Sequence, residues 1–180
     1  MTEPAHPPHE TGPRFARRAA RVLVVDEADR LLLFHGPALV AGAGAAYFFT
    51  VGGAIEPGET AREAAVRELH EETGMLAAPD ALIGPVARCH SVQELLAGGG
   101  FTADEWFFWW RCTNPTVQLE GLEEREGLET AGFAWMSLPE LESAPLTILP
   151  RALPAFMRRV LTEGLPARPV TIAWDRPGPA

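Results

Sequence analysis

Residues 53–75, GAIEPGETAREAAVRELHEETGM, constrain the fold of this chain more than any other part of its sequence. Thr60 is a candidate N-cap, and Glu63 follows three residues later, which is the spacing of a capping box. Gly74 has the position just past a helix end, where glycine adopts the left-handed backbone without strain. The pattern therefore predicts a helix from about Ala61 to Thr73.

Three carboxylates fall on one side of this predicted helix. With about 100° of rotation per residue, Glu68, Glu71 and Glu72 share an arc of ~100°. Like charges at this spacing repel, and only Glu71 has a cationic neighbour at i−4, namely Arg67. A divalent cation would relieve the repulsion, and oxygen ligands suit a hard ion such as Mg²⁺ or Mn²⁺. Without further information, a solvated acidic face explains the same residues.

The spacing of the residues around these glutamates favours a metal site over a solvated acidic face. From Gly53 through Glu59 to Met75, the segment matches Gly-x5-Glu-x7-Arg-Glu-U-x-Glu-Glu-x-Gly-U at every fixed position, where U is aliphatic. This is the Nudix box, so the chain resembles the Nudix hydrolases over the box and, more loosely, over about residues 18–163. The resemblance implies an α/β fold of the Nudix type. In this α/β/α sandwich with a mixed sheet, the box forms a loop–helix–loop.

The resemblance also implies a metal site. Glu68 and Glu72 would be the principal ligands, and Glu71 would be a ligand or support one. The carbonyl of Gly52 would be a further ligand. The cofactor would be Mg²⁺, for which Mn²⁺ can substitute.

The same resemblance assigns roles in catalysis and support. Glu68, Arg67 and Glu71 would be the catalytic residues, with Glu68 polarising the attacking water and Arg67 acting as the orienting cation. Glu59 would hold Arg67 by an ion pair. Gly53 belongs to the glycine pair that lets the backbone approach the metal closely.

An acidic segment, residues 114–132, offers additional carboxylates. In several Nudix enzymes a glutamate from a comparable loop is an extra metal ligand or general base. Glu124 and Glu126 are the candidates here. The alternative is a solvated surface loop without chemistry.

Composition excludes several classes of partner. The net charge of −9 argues against binding to a nucleic-acid polymer, which needs clustered cations. All fifteen basic residues are arginine, so any side-chain phosphate clamp must be arginine. No apolar run approaches the ~20 residues that span a bilayer. Cys89 and Cys112 are expected to be buried thiols in a reducing compartment, which favours a cytoplasmic protein.

The chain order suggests one domain between two tails. Residues 1–13 are expected to be a flexible tail, residues 14–164 a single Nudix domain, and residues 165–180 an irregular C-terminal tail. We expect loops at 35–46 and 94–104, because both are rich in glycine or alanine. A homodimer is compatible with these features but does not follow from them.

Residues 105–113, EWFFWWRCT, form the most aromatic segment. The segment is expected to be a strand with one face in the core. The other face could stack a nucleobase through one of its tryptophans.

These features predict a Mg²⁺-dependent hydrolase that cleaves the diphosphate linkage of a nucleoside diphosphate derivative. ADP-ribose-like compounds and nucleoside triphosphates are both candidate substrates, and the partner would be a small nucleotide. One alternative is a non-catalytic Nudix domain that senses a ligand. Another is an enzyme like isopentenyl diphosphate isomerase, which would need a dedicated cysteine–glutamate pair.

Overall fold

The computed structural model describes residues 14–37, 44, 46–95, 97–113, 115–118 and 132–175, and every structural statement below concerns these residues. The predicted flexible tail at residues 1–13 lies outside them. So do Glu124 and Glu126, the candidates for an extra ligand or base.

The chain contains both strands and helices, in agreement with the α/β prediction. In chain order they are β1 (Arg14–Val25), β2 (Leu31–Pro37), β3 (Ala46–Phe49), β4 (Val51–Ala54), α1 (Ala61–Thr73), β5 (Ile83–Glu94), β6 (Gly100–Arg111), β7 (Gly132–Met136), α2 (Leu138–Glu142), β8 (Thr147–Ile148), α3 (Leu153–Glu163) and β9 (Val170–Thr171).

The described strands join in one curled sheet that contains both parallel and antiparallel pairs. Its main path runs β8-β3-β2-β1-β6-β5-β9, while β4 pairs with β1 and β7 pairs with β2. The centre is the parallel pair of β1 and β6, in register from Arg14↔Gly100 to Val25↔Arg111. On the other edge of β1, β4 pairs antiparallel with residues 19–22. The predicted mixed sheet is therefore confirmed.

Each face of the sheet buries its own core. Leu23 and Phe107 belong to the cluster that packs against α3. Their strand neighbours Val22 and Phe108 belong to the cluster that packs against α1. Successive side chains of a strand point to opposite faces, so one strand supplies both cores. In the middle of the aromatic strand both faces are buried, at Phe107 and Phe108.

The expected loop at 94–104 was too long, because the structure confines the turn to the residues between Glu94 and Gly100. β5 continues to Glu94, and β6 begins at Gly100, which pairs with Glu94 across a tight turn. The glycines serve the turn, while Phe101 and Ala103 are buried on the face that carries α3. Burial of these two side chains stabilises the extended strand. The run of three glycines indicates only a turn.

The segment after α3 differs from the irregular tail that we expected. β9 pairs in parallel with β5, through Val170 and Thr171. Ile172 is buried in the core beside α3, and the backbone oxygen of Trp174 accepts a hydrogen bond from Arg151 N at 2.8 Å. Apolar contacts therefore hold residues 170–174 against the domain.

None of the helices in the described part of the chain is long and apolar enough to cross a membrane.

Candidate active site

Helix α1 begins and ends where the sequence predicts. Thr60 is the N-cap, and its hydroxyl accepts a hydrogen bond from Glu63 N, while the Glu63 carboxylate accepts one from Thr60 N at 2.8 Å. Gly74 ends the helix with φ 71°. The capping box and the glycine therefore define the two ends of α1.

The apolar side of α1 orients its carboxylates. Ala64, Ala65 and Leu69 are fully buried against the sheet. Their small or compact side chains let the helix approach the backbone of β4 closely. Glu68 and Glu72 are thereby brought against the glycine pair of that strand.

Arg67 donates hydrogen bonds to three carboxylates of the box. Its guanidinium donates to both oxygens of Glu59, at 2.9 and 3.0 Å. It also donates to Glu68 Oε1 at 2.7 Å and to Glu71 Oε2 at 3.1 Å. A further bond to the oxygen of Ala54, at 2.9 Å, ties it to β4. The hydrogen bonds from Arg67 are the main reason that the pKa of Glu59 lies below its usual range.

Glu68 occupies a space that only glycine leaves open. The residue is 9% exposed, and its carboxylate lies against Gly53. A Cβ atom on Gly53 would come within 2.5 Å of Glu68 Oε1. The glycine therefore determines where this carboxylate rests.

Gly52 is held from two sides. Its N–H donates to Glu72 Oε2 at 2.6 Å, and its carbonyl oxygen accepts a hydrogen bond from Arg21 Nη1. Its φ is 126°, and a Cβ there would lie 2.2 Å from the oxygen of Ala20. The carbonyl that the resemblance assigns to a metal thus contacts a guanidinium.

Arg21 is anchored by an ion pair that the sequence analysis missed. Its Nε donates to Glu105 Oε1 at 2.9 Å, and Glu105 is only 3% exposed. Burial alone would lower the pKa of Arg21, but the carboxylates of Glu105 and Glu72 raise it above its usual value. Arg21 and Glu105 each lie within a segment whose sequence is typical of a strand. A charge that is buried in a strand needs a partner of opposite charge, so this pattern could have indicated an ion pair.

The carboxylates suit a divalent cation in chemical type. They offer oxygen donors only, and a space shaped by Gly53 receives one of them. Within the described ranges, however, no three acidic, histidine or cysteine side chains are grouped to hold a metal. Glu68 and Glu71 bind Arg67, and Glu72 binds the Gly52 N–H. The glutamates are therefore chemically suitable ligands for a divalent metal. The Gly52 carbonyl does not fit a metal in this arrangement, because its oxygen accepts a hydrogen bond from Arg21.

A cavity of about 250 Å³ opens beside the C-terminal end of the box. Gly52 and Glu72 form part of its wall, and Arg21 and Glu105 lie next to them. Its aromatic lining comes from β3, β6 and the C-terminal segment: Tyr47, Phe49, Phe101, Phe107 and Trp174. Planar rings with a few charged groups suit a planar, polar-edged ligand.

The aromatic strand contributes to this cavity through Phe107 rather than through a tryptophan. In the described wall the tryptophan is Trp174, which follows β9. Trp106, a candidate for base stacking, instead lies between two guanidiniums. Arg18 is 5.1 Å and Arg88 is 6.0 Å from its ring centroid.

The cysteines are buried thiols, as the sequence predicts. Cys89 faces Glu105 across the strand pair, but burial, followed by the charge of Glu105, raises the pKa of Cys89 to about 12. Burial likewise raises the pKa of Cys112 to about 11. Neither residue belongs to the described cavity wall.

Comparison with known proteins agrees with this architecture. A family model, the NUDIX domain, matches residues 15–161. A protein of Bacillus subtilis (strain 168) named "Putative 8-oxo-dGTP diphosphatase" is 33% identical over 133 residues, which cover 74% of this chain and 72% of that protein.

Solved structures share the fold at low sequence identity. A MutT protein from Bacillus halodurans has a TM-score of 0.56 and 18% identity, covering 88% of this chain and 92% of that one. A MutT protein from Methanosarcina mazei Go1 has a TM-score of 0.54 and 19% identity, covering 83% and 96%. A binary complex of a C. elegans Ap4A hydrolase has a TM-score of 0.51 and 18% identity, covering 81% and 95%.

Proposed function

This chain belongs to the Nudix family of pyrophosphohydrolases, and we propose that it hydrolyses the diphosphate linkage of a nucleoside diphosphate derivative with a divalent metal. The observation that carries the proposal is the aromatic-lined cavity that adjoins Glu72 and Gly52. A nucleobase in this cavity would leave its diphosphate beside the carboxylates of the box.

The carboxylates of the box have different roles in the proposed reaction. Glu68 and Glu72 would hold Mg²⁺, or Mn²⁺ in its place, with Glu71 in support. The bound metal would neutralise diphosphate oxygens and lower the pKa of a water molecule. Glu68 would also orient the attacking water. Arg67 would fix the direction of Glu68 and Glu71, since it already donates to both.

Nucleoside triphosphates are the first substrate class to test. A cavity of about 250 Å³ is small for a ligand site, since such sites usually span about 300–1,000 Å³. One nucleoside suits this volume better than two. The relative from Bacillus subtilis, whose name states an 8-oxo-dGTP diphosphatase, points to the same class. ADP-ribose-like compounds rank second.

The two alternative functions gain no support from the described residues. A sensor without turnover would not need the full set of box carboxylates, all of which this chain retains. An isomerase would need a cysteine that reaches its substrate, whereas Cys89 and Cys112 are buried and neither is in the described cavity wall. The free thiols are consistent with a cytoplasmic enzyme acting on a small nucleotide.

A substrate panel tests the proposal directly. The purified protein is incubated with Mg²⁺ and nucleoside triphosphates, including oxidised ones, together with ADP-ribose and dinucleoside polyphosphates. Products are then separated by chromatography. We expect release of a nucleoside monophosphate from a triphosphate, abolished by EDTA. Tight binding of one compound without turnover would favour the sensor.

A further inference from the structure

We infer that Arg21 acts as a built-in cation that competes with the divalent metal for the Gly52–Glu72 end of the site. The inference rests on the proposed metal-dependent function. It assigns Arg21 a role in setting how tightly the protein binds its metal.

The contacts of Arg21 define this competition. Its Nη1 donates to the carbonyl oxygen of Gly52 and, at 3.4 Å, to that of Thr50. The Gly52 N–H donates to Glu72, so the guanidinium and this carboxylate bind the two polar backbone groups of one residue. A metal that used the Gly52 carbonyl would have to share its oxygen with a positive charge or displace it.

Glu105 makes displacement of Arg21 costly. Its carboxylate accepts a hydrogen bond from Arg21 Nε at 2.9 Å, and the residue is only 3% exposed. If Arg21 moved away, this carboxylate would remain buried without its ion pair, which is strongly unfavourable. Arg21 therefore stays where it is unless metal binding supplies enough free energy to move it.

Arg21 also neutralises part of the charge that attracts a metal. Arg21 and Glu72 both contact Gly52 and line the same cavity, so their opposite charges lie close together. A cation beside a carboxylate weakens the binding of a second cation at that carboxylate, because like charges repel. Removing the Arg21 charge is therefore expected to strengthen metal binding.

The test measures Mn²⁺ binding by electron paramagnetic resonance of free Mn²⁺, with metal alone and no substrate. Arg21→Met is expected to tighten Mn²⁺ binding about tenfold or more, which corresponds to ~1.4 kcal/mol. Arg21→Lys keeps the charge and should bind Mn²⁺ nearly as weakly as the parent. The double variant Arg21→Met/Glu105→Gln avoids an unpaired buried carboxylate. It should still bind Mn²⁺ more tightly than the parent, with a smaller gain because the Glu105 charge is also removed.

Arg159→Met is the control. Arg159 lies on α3, outside the wall of this cavity, and pairs with the exposed carboxylate of Glu163 at 3.2 Å. A solvent-exposed charge is screened by salt, so its loss should change Mn²⁺ affinity less than about twofold.

The outcomes separate this inference from the proposed function. If the parent binds Mn²⁺ but Arg21→Met and the folded double variant bind it equally or more weakly, Arg21 merely supports the backbone and the inference is wrong. If the parent binds no Mn²⁺, the proposed metal site itself fails, and the inference fails with it.

Discussion

At the scale of single residues, the neighbouring glycines of β4 are required for different reasons. At Gly52 an added Cβ would meet the backbone of β1, and φ lies in the left-handed region. At Gly53 an added Cβ would meet only the end of the Glu68 side chain. The backbone cannot yield without disturbing the sheet, whereas a carboxylate can rotate.

This contrast predicts opposite phenotypes for two alanine variants. Gly52→Ala should lower the melting temperature by at least ~2 °C, since about 1 kcal/mol corresponds to roughly 2–4 °C in a chain of this size. Gly53→Ala should melt near the parent but lose at least about tenfold in kcat, because Glu68 is displaced from its position. Circular dichroism and steady-state kinetics measure the two effects. Normal turnover in Gly53→Ala would contradict the importance of the Glu68 position.

Glu68 itself carries a second residue-scale prediction. Glu68→Gln keeps the size of the side chain but removes the charge that would bind metal and polarise water. We expect turnover to fall by roughly 10²–10⁴, with the fold retained.

His70→Gln is the control for this variant, because His70 is exposed on the same helix and is assigned no role. It should match the parent in turnover. A Glu68→Gln enzyme within threefold of the parent would refute the assignment of Glu68.

Sequence reasoning reached the residues whose partners are near in the chain. Glu59, Arg67 and Glu68 lie within ten positions of one another, and the structure brings them into contact. Arg21 and Glu105 are 84 positions apart, so no local pattern could pair them. Their proximity depends on the register of β1 with β6, which only the folded sheet defines.

At the scale of elements, an ion pair between Glu59 and Arg67 holds the loop before α1 against the helix. Glu59 receives two hydrogen bonds from Arg67, and these hold the pKa of Glu59 below its ordinary value of 4.5. A carboxylate whose pKa is lower in the folded state stabilises the fold above its unfolded pKa. That stabilisation disappears as the pH falls through the folded pKa.

Glu59→Gln tests this link through its pH dependence. At pH 7 the variant should be less stable than the parent by roughly 1 kcal/mol, since the pair is partly exposed. The difference should persist down to about pH 4.5 and shrink at lower pH, as Glu59 of the parent becomes protonated. Urea denaturation at several pH values gives the free energies of unfolding. A difference that widens in acid would show that Arg67 does not stabilise the Glu59 charge.

Local signals explain why one element was predicted and another was not. The ends of α1 are set by Thr60 and Gly74, whose preferences act within a few residues. The strand character of residues 100–104 depends on pairing with β5 and on the burial of Phe101 and Ala103. Three successive glycines indicate a turn but not where the following strand begins.

At the scale of the whole molecule, the C-terminal segment completes the cavity. β9 joins the sheet edge, and Trp174 adds a ring to the cavity wall. The sequence did not predict this, because residues 165–180 have no helical or alternating pattern long enough to stand out. The segment is ordered by what it packs against.

Trp174→Ala should therefore weaken substrate binding. We expect KM to rise about threefold to tenfold with kcat nearly unchanged, because a stacked ring worth ~1 kcal/mol binds ground and transition states alike. Thr171→Ala, an exposed change on β9, is the control and should leave both constants near those of the parent. A fall in kcat alone would place Trp174 outside the binding surface.

The parallel pairing of β1 with β6 also has a consequence during synthesis. Arg21 and Glu105 are 84 positions apart, so at 5–20 residues per second the ribosome takes roughly 4–17 s to add the second after the first. Throughout that interval the nascent chain presents Val22, Leu23 and Val24 on a strand whose central neighbour does not yet exist. Unpaired apolar strands are sites of aggregation. The growing polypeptide should therefore need a chaperone more before residue 111 emerges than after it.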